Sequence, residues 1–473
     1  MFKQLFFDDQ RLLVRTGCER IYGTPQLVAT YRDKDVRTAY GWVWVLEGID
    51  GKMHMLYMGY TKKSGYYPKT MAAVSENGID FVPRETSAGC DNVELPHQAL
   101  PDTPFGEVAA VFCDPKAAPE ERYKILFSDD TTELEKRHII DSILVSPDLI
   151  HFKQLENSNW NPIGTEPLAG AFYNPVSDAY TFLPRPDWGQ RRVGVCETKD
   201  FHNFTPIELC LQCDSMDAPL AEIYGMPAFE YDGWFIGFPH IYSVESSLNT
   251  KFFGGTMHCE IAYSLNGHHW QRSLRTPFIA GARPNLNGVF SGSVPNMVFV
   301  TSMRRDKKDG SIFLYGTANK KEHGCDPTQL AEEDTAINVY HLREDGFVGL
   351  RTLKDAGEAE VALRDILWDG GDVSINIETE GATVAVYENS GSQTPIEGMS
   401  HEDCVPFAGS SIHWTPQWTS GKTTDELKGK TLVFDIRFKN GTLWSVSGNG
   451  QPMMNSEADR YRKFGQRPLR KGF

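Results

Sequence analysis

Three glutamates stand at nearly the same distance ahead of a turn signal: Glu107 seven residues before Asp114, Glu166 eight before Asn174 and Glu222 ten before Asp232. Carboxyl groups at one offset from successive hairpin turns are carried to one end of their strands, where they can converge on a shared opening. A carboxyl pair of this kind suits acid–base work at an acetal carbon. One carboxyl protonates the leaving oxygen while an ionised carboxylate attacks or activates water. A third acid nearby raises the donor's pKa, because like charges in a partly dry pocket disfavour joint ionisation. Glu222 is therefore expected as the acid, with Glu107 or Glu166 as base or nucleophile. The competing reading is that each glutamate forms an ion pair or caps a solvated loop. The equivalent stretches elsewhere offer Tyr40 or Trp42, and Ser291.

Other side chains are placed to assist. Tyr224, Arg185 and His240 are candidates for contacting polar oxygens, the planar Arg fork being suited to paired acceptors. Trp42 or Trp44 offers a face on which a ring can stack, although a core role is the plainer reading of either. Asp33 and Asp35 could supply a carboxylate to the first repeat, but Arg32-Asp33-Lys34-Asp35-Val36-Arg37 reads first as a solvated loop. Asp8-Asp9 reads as a turn, with a strand leading into a central channel as the alternative. Glu197 reads as structural, in the slot held elsewhere by a turn serine. Cys210-Leu211-Gln212-Cys213 lacks a second pair or a histidine set, and within a strand the two thiols would face opposite ways. No metal and no cofactor are implied.

Many short strands must position these groups. Forty-two Gly and 27 Pro are spread through the chain, aromatic residues are abundant, and no long 3.6-residue apolar period appears. The stretch around Tyr231-Asp232-Gly233 has apolar runs on both sides, which predicts a hairpin whose turn needs positive φ. A strand followed by Ser-x-Asn/Asp-Gly/Leu and an aromatic recurs at Ser75-Glu76-Asn77-Gly78, Ser146-Pro147-Asp148-Leu149 and Ser264-Leu265-Asn266-Gly267. A lengthened copy covers Cys196 to Phe204, and a decayed one is Arg343-Glu344-Asp345-Gly346. Each is preceded by a hairpin, so the repeats predict a five-bladed β-propeller over 1–350. A charged connector, 351–360, then leads to strands of period-two alternation. These predict a β-sandwich over 351–473 with an irregular C-terminal tail. The fold class is all-β.

The formal net charge of −16 opposes nucleic-acid binding, which relies on clustered cations. A small uncharged or polyol partner fits better. The basic run from Arg460 to Lys471 reads as a solvated or partner-contacting tail. No stretch has the length of a membrane span, and the N-terminal run is too short for a signal peptide. With nine cysteines in no framework spacing, a cytoplasmic location is expected. Assembly into a homo-oligomer is left open.

The segments Leu5-Phe6-Phe7-Asp8-Asp9, Ile223-Tyr224-Gly225-Met226-Pro227 and Asp345-Gly346-Phe347-Val348 make the chain resemble uncharacterised proteins grouped near glycoside hydrolase family 32. That group shares a five-bladed fold with families 43 and 68. The resemblance implies furanoside or fructoside hydrolysis. Its enzymes carry a Trp-Met-Asn-Asp-Pro-Asn nucleophile motif, an Arg-Asp-Pro motif and a Glu-Cys acid motif, and none stands intact here. Asp114-Pro115 lacks the arginine, and Cys196-Glu197 has the order reversed. A glycosidase acting on a short oligosaccharide is the leading expectation. The rivals are a glycoside phosphorylase holding phosphate with Arg185, His240, Arg283 and Arg304, a non-catalytic sugar-binding propeller, and a sugar epimerase or lyase.

Overall fold

The computed structural model of the chain describes residues 1–61, 69–85, 95–99, 107–128, 142–158, 170–186, 188–243, 255–280, 297–326 and 330–468, with the backbone alone at 38–40, 107, 128, 142 and 332. These residues are almost all in strands and turns. The exceptions are short 3-10 turns and the helix Asn455–Phe464. The chain divides into two compact units, one of Pro25–Glu230 and Phe235–Leu342, the other of Met1–Thr24, Tyr231–Trp234 and Arg343–Phe473.

The larger unit is a series of antiparallel meanders. The first runs Arg37–Glu47, Met53–Tyr60, Lys69–Ser75, Val82–Pro83; the second Glu107–Cys113, Tyr123–Ser128, Ser142–Ser146, Lys153–Gln154. The third runs Gly170–Asn174, Ala179–Leu183, Val193–Thr198, Glu208–Leu211. Met53–Tyr60 is buried at every position, which is why its sequence is apolar without alternation apart from His54, whose ring is paired with Asp50 and Arg84.

Next come two sheets in tandem. Ala221–Ile223, His240–Ser243 and Thr256–Cys259 form one; Ala228–Tyr231, Trp234–Gly237, Ala262–Ser264 and Gln271–Arg272 form the other. The ladder breaks at Pro227 and Pro239, which have no N–H to donate. Backbone bonds bridge the break, from Phe238 N to Pro227 O (2.9 Å), Tyr224 N to His240 O (2.9 Å) and His240 N to Gly225 O (2.9 Å). The hairpin turn is the expected one, with Asp232 and Gly233 at φ of 49° and 83°.

The last meander, Met297–Arg305, Ile312–Asn319 and Thr335–Leu342, takes its fourth strand from far upstream: Gln26–Tyr31 pairs antiparallel with Thr335–Leu342. Hydroxyls join this sheet to the first where no ladder runs. Val43 N donates to Thr301 Oγ1 (2.9 Å), Val45 N to Ser302 Oγ (3.0 Å), and Thr317 Oγ1 donates to Gly41 O (2.9 Å). Gly316 lies so close to the neighbouring strand that a Cβ there would sit 2.0 Å from Phe299 O, so the position admits only glycine.

The repeated turn is a hydrogen-bonded unit. Ser75, Ser146 and Ser264 each accept two backbone N–H groups on Oγ. Asn77, Asp148 and Asn266 each accept two more. The following residue is left-handed, Gly78 at φ 75°, Leu149 at 62° and Gly267 at 77°. In the lengthened copy the same role belongs to Thr198, with Asp200 and Phe201 (φ 59°) after it. The turn slot assigned to Glu197 is therefore Thr198's, and Glu197 points to the opposite face of its strand.

The smaller unit is a hydrogen-bonded sheet of eleven strands. The long strand Ser374–Tyr387 pairs with Thr442–Gly448 along its first part and with Thr431–Lys439 along its second. This single strand links what the sequence suggested were two separate sheets. The division expected at 350/351 also differs from the compact units. Phe2–Leu5, Leu12–Thr16 and Cys18–Tyr22 pair with strands of the C-terminal part. The expected connector 351–360 is strand and turn, lying between and within Val348–Thr352 and Ala359–Leu363. The expected irregular tail includes Asn455–Phe464, whose first turn is capped by Glu457 accepting from Met454 N at 2.8 Å.

Candidate functional site

Five of the side chains singled out in the sequence come together in the larger unit. Glu222, in Ala221–Ile223, pairs with Arg191 at 2.5 Å. The Arg191 guanidinium lies 5.1 Å from the Tyr242 ring and 5.8 Å from the Tyr224 ring. Arg185 covers the Tyr224 ring at 4.6 Å and donates to Tyr224 O at 3.1 Å. His240 stacks on Trp42 with ring centres 5.8 Å apart, and Phe299 packs edge-on against both. Trp42 also touches the Tyr224 ring, at 6.5 Å. The arrangement is an aromatic shelf with guanidinium groups stacked on it and a carboxylate at its side.

Local sequence explains the convergence. Glu222 and Tyr242 are direct cross-strand partners in the tandem sheets. Glu222 lies ten residues before Asp232 and Tyr242 nine after Gly233, one step out of the register that the turn alone would set, and Tyr242 was missed in the sequence. Arg191, Phe299, Glu322 and His323 were also missed. His323 shares a proton with the Tyr224 hydroxyl through Nε2 (3.1 Å), and its Nδ1 lies 3.5 Å from the Tyr242 hydroxyl. Glu322 precedes it, and burial pushes its carboxyl up from the ordinary range.

His240 is neutral by construction. It is fully buried, its Nε2 donates to Val300 O at 2.9 Å, and burial pushes its pKa down to about 4. It cannot supply the cation that a phosphate site would require. Trp42 is only 2% exposed, so the core role anticipated for it is met in this structure. Trp44 is likewise internal, donating from Nε1 to Val108 O.

The remaining candidates either fall outside the described residues or have other partners. Glu107 opens its strand, backbone to backbone with Ser128, but its side chain lies outside the described residues, as does the whole of Glu166. The side chain of Tyr40, together with Ser291 and Arg283, also falls outside them. Arg304 has a separate set of partners, Tyr315, Asp306 and Asn77. Asp33 is buried and accepts from the Tyr57 hydroxyl (2.5 Å) and His97 Nε2 (2.7 Å). Burial alone would raise its pKa, yet these bonds hold it below the ordinary value. Asp9 pairs with Arg15 and Arg20 inside the smaller unit, which favours the structural reading of Asp8-Asp9. Cys210 and Cys213 are free thiols raised by burial, and no cluster of metal-ligating residues occurs among the described residues.

Glu197 accepts hydrogen bonds from Ser177 Oγ (2.6 Å), Thr181 Oγ1 (2.8 Å) and Asn174 Nδ2 (3.3 Å), and pairs with His268 at 2.8 Å. Burial opposes its charge, but these partners prevail and bring its pKa down from 4.5 to about 2, while His268 is raised above 6.5 by the same contact. The Glu197 contribution to stability is complete above pH 4.5 and lost as pH falls towards 2; that of His268 is complete below pH 6.5 and lost as pH rises through its raised value. Glu197→Gln is thus expected to lower Tm most between these limits. Melting curves across pH check this: a deficit that does not shrink at either extreme would remove the pair from the account.

No protein-family model matches the chain, and no curated protein does. Solved structures do match. One, described under the heading of family 130 mannoside phosphorylases that contain glycoside hydrolases targeting β-1,2 mannosidic linkages in Candida mannan, is 14% identical, with 71% of this chain and 97% of that one covered and a TM-score of 0.42. A thermostable family-43 glycoside hydrolase is 11% identical over 71% and 94% of the two chains, with a TM-score of 0.38. An exo-β-1,3-galactanase from Phanerochaete chrysosporium is 10% identical over 90% and 99%, with a TM-score of 0.39. None of the three is described as family 32.

Proposed function

We propose that the chain is a glycoside hydrolase acting on a small oligosaccharide or glycoside, with the meanders of the larger unit as the five blades of a propeller. The observation that carries this reading is the Glu222–Arg191 pair set against the Tyr224 and Tyr242 rings, beside Trp42 and His240. A carboxylate next to a partly exposed aromatic face, here that of Tyr224, is what a sugar ring demands, since its C–H face stacks while its oxygens take polar partners; the buried Trp42, Tyr242 and His240 back that face. An ion pair is a property of the ionised carboxylate. Arg191 therefore fits Glu222 to act as base or nucleophile, in place of the donor role expected from the sequence. Glu107 and Glu166 stay in the proposal as further acids at the same site.

The furanoside or fructoside preference rests on the sequence resemblance. A cytoplasmic setting is supported by eight described cysteines that are all free thiols. No helix of the described residues is long and apolar enough to cross a membrane. A phosphorylase is the second reading, favoured by the convergence of Arg185 and Arg191 on Tyr224. The test is a panel of nitrophenyl furanosides, nitrophenyl pyranosides and oligofructans, with and without phosphate. Turnover without phosphate supports hydrolysis, phosphate-dependent turnover selects the second reading, and saturable binding without turnover replaces both with a lectin-like role.

A further inference from the structure

We infer that His323 fixes the direction of the Tyr224 hydroxyl, and that this couple reads one hydroxyl of the sugar. This rests on the glycosidase reading above. Among the rings of the shelf, Tyr224 is the one that keeps part of its surface in solvent, whereas Trp42, Tyr242, Phe299 and His240 are buried. The Tyr224 ring is held on several sides: Arg185 covers it at 4.6 Å, and Phe299 and Tyr242 meet it edge-on at 5.7 and 5.9 Å. Packing of that kind fixes a ring but leaves its O–H free to rotate. The hydroxyl takes its direction from His323, whose Nε2 lies 3.1 Å from it.

Local sequence brings His323 to this place. Asn319 closes Ile312–Asn319 and its side-chain oxygen accepts from Lys321 N at 2.7 Å, which turns the chain; Gly324, at φ 81°, turns it again. Between the two turns His323 N donates to Gly255 O at 2.9 Å. Gly255 is a close-approach position: a Cβ there would sit 2.5 Å from Ser243 O and 2.6 Å from Tyr242 Cε2, so a side chain at 255 would displace the backbone that seats the histidine. The imidazole lies against both tyrosines, with ring centres 5.1 Å from Tyr224 and 5.3 Å from Tyr242, and its Nδ1 is 3.5 Å from the Tyr242 hydroxyl. A neutral imidazole has one N–H and one bare nitrogen. With a hydroxyl at each nitrogen, one tyrosine donates to the ring and the other accepts from it. Tyr242 is fully buried, so the end of this relay that a ligand meets is Tyr224. A hydroxyl held in one direction binds its partner at a lower ordering cost than a rotating one. It also penalises a ligand that offers no partner.

The test takes the glycoside that the panel selects together with its monodeoxy analogues. Wild type is expected to lose about tenfold in kcat/KM on one analogue, the size of a neutral hydrogen bond whose protein partner is left unsatisfied. His323→Phe keeps a flat ring against the two tyrosines but offers no nitrogen, and Tyr224→Phe removes the same bond from its other end. Each should raise KM about five- to tenfold on the parent glycoside, keep kcat within about threefold, and shrink the loss on that analogue to within about twofold. The double variant should be no worse than Tyr224→Phe alone, because the histidine acts through the hydroxyl. His323→Gln, which can still bond from the same place, should recover most of the KM, with Tm recording that each variant folds. Losses that multiply in the double variant, a KM that His323→Phe leaves unchanged, or discrimination that survives Tyr224→Phe would overturn the inference and leave the glycosidase reading standing. The last of these outcomes decides the matter even if His323→Phe does not fold. Where wild type binds the glycoside without turnover, the same cycle is read on Kd, and only the hydrolytic reading falls. A wild type that neither binds nor turns over any glycoside overturns both.

Discussion

Glu222→Gln is expected to lower kcat by at least about a hundredfold, the lower size seen when a group in proton transfer or nucleophilic attack is removed. Glutamine is nearly isosteric but carries no charge, so it neither attracts a proton from water nor attacks carbon. It also removes the anion beside Arg191, whose guanidinium still faces the rings of Tyr224 and Tyr242. Those cation–π contacts, about 0.5–2 kcal/mol each, hold the guanidinium near its place. KM should therefore shift less than kcat. Initial rates against substrate concentration separate the two, with Tm as the check on folding. A kcat within about twofold of wild type would take Glu222 out of the chemistry.

The second large effect concerns stability. Lys3 Nζ lies 2.8 Å from Asp232 Oδ2, 2.8 Å from Asp345 Oδ1 and 3.4 Å from Glu344 Oε1, and its side chain is only 10% exposed. Asp345 also accepts from the Tyr231 hydroxyl (2.6 Å) and Ser445 Oγ (2.5 Å). Lys3→Met would leave the Asp345 carboxylate buried without its ammonium partner, while Glu344 keeps its contact with His413 at 3.6 Å, and breaking a buried pair from one side costs about 3–5 kcal/mol. The expected result is a loss of that size in urea unfolding of the full chain. Lys3→Arg, which keeps the charge, should lose much less. Burial alone would lower the Lys3 pKa, but Asp345 and Asp232 outweigh it and the net shift is upward. Its stabilisation is therefore complete below pH 10.5 and lost only as pH climbs through the raised value. A wild-type-like midpoint for Lys3→Met would mean that the cluster contributes nothing.

Some of this was legible in the chain and some was not, for reasons tied to particular residues. The Asp232-Gly233 turn was readable because its backbone angles restrict it to few residue types, and the serine turns were readable because a hydroxyl and an Asn or Asp side-chain oxygen at fixed spacing satisfy four local N–H groups. In the lengthened copy the same chemistry runs on Thr198, and taking the register one residue early misplaced Glu197. The grouping of Glu222 with Tyr224, Arg185, His240 and Trp42 was anticipated, whereas Arg191 and His323 were not. Their positions depend on which loop folds over which strand, and neither carries a local periodic signal. Strand pairing between distant segments was equally silent: nothing near Leu12 announces Leu363 as its partner. That silence is why the boundary was drawn at 350.

The pairing of Gln26–Tyr31 with Thr335–Leu342 bears on biosynthesis. On the ribosome the early segment emerges long before its mate exists, with the apolar Leu27 and Val28 among its residues. It must spend that interval in solvent or under a chaperone. The three strands upstream of it wait longer still, since their partners lie beyond residue 347, the last of them at Thr442–Gly448. Elongation pauses or truncations ahead of residue 342 should thus yield aggregation-prone nascent chains, and a circular permutant that begins between Tyr31 and Arg37 would bring the waiting strand out only after its mate has been made.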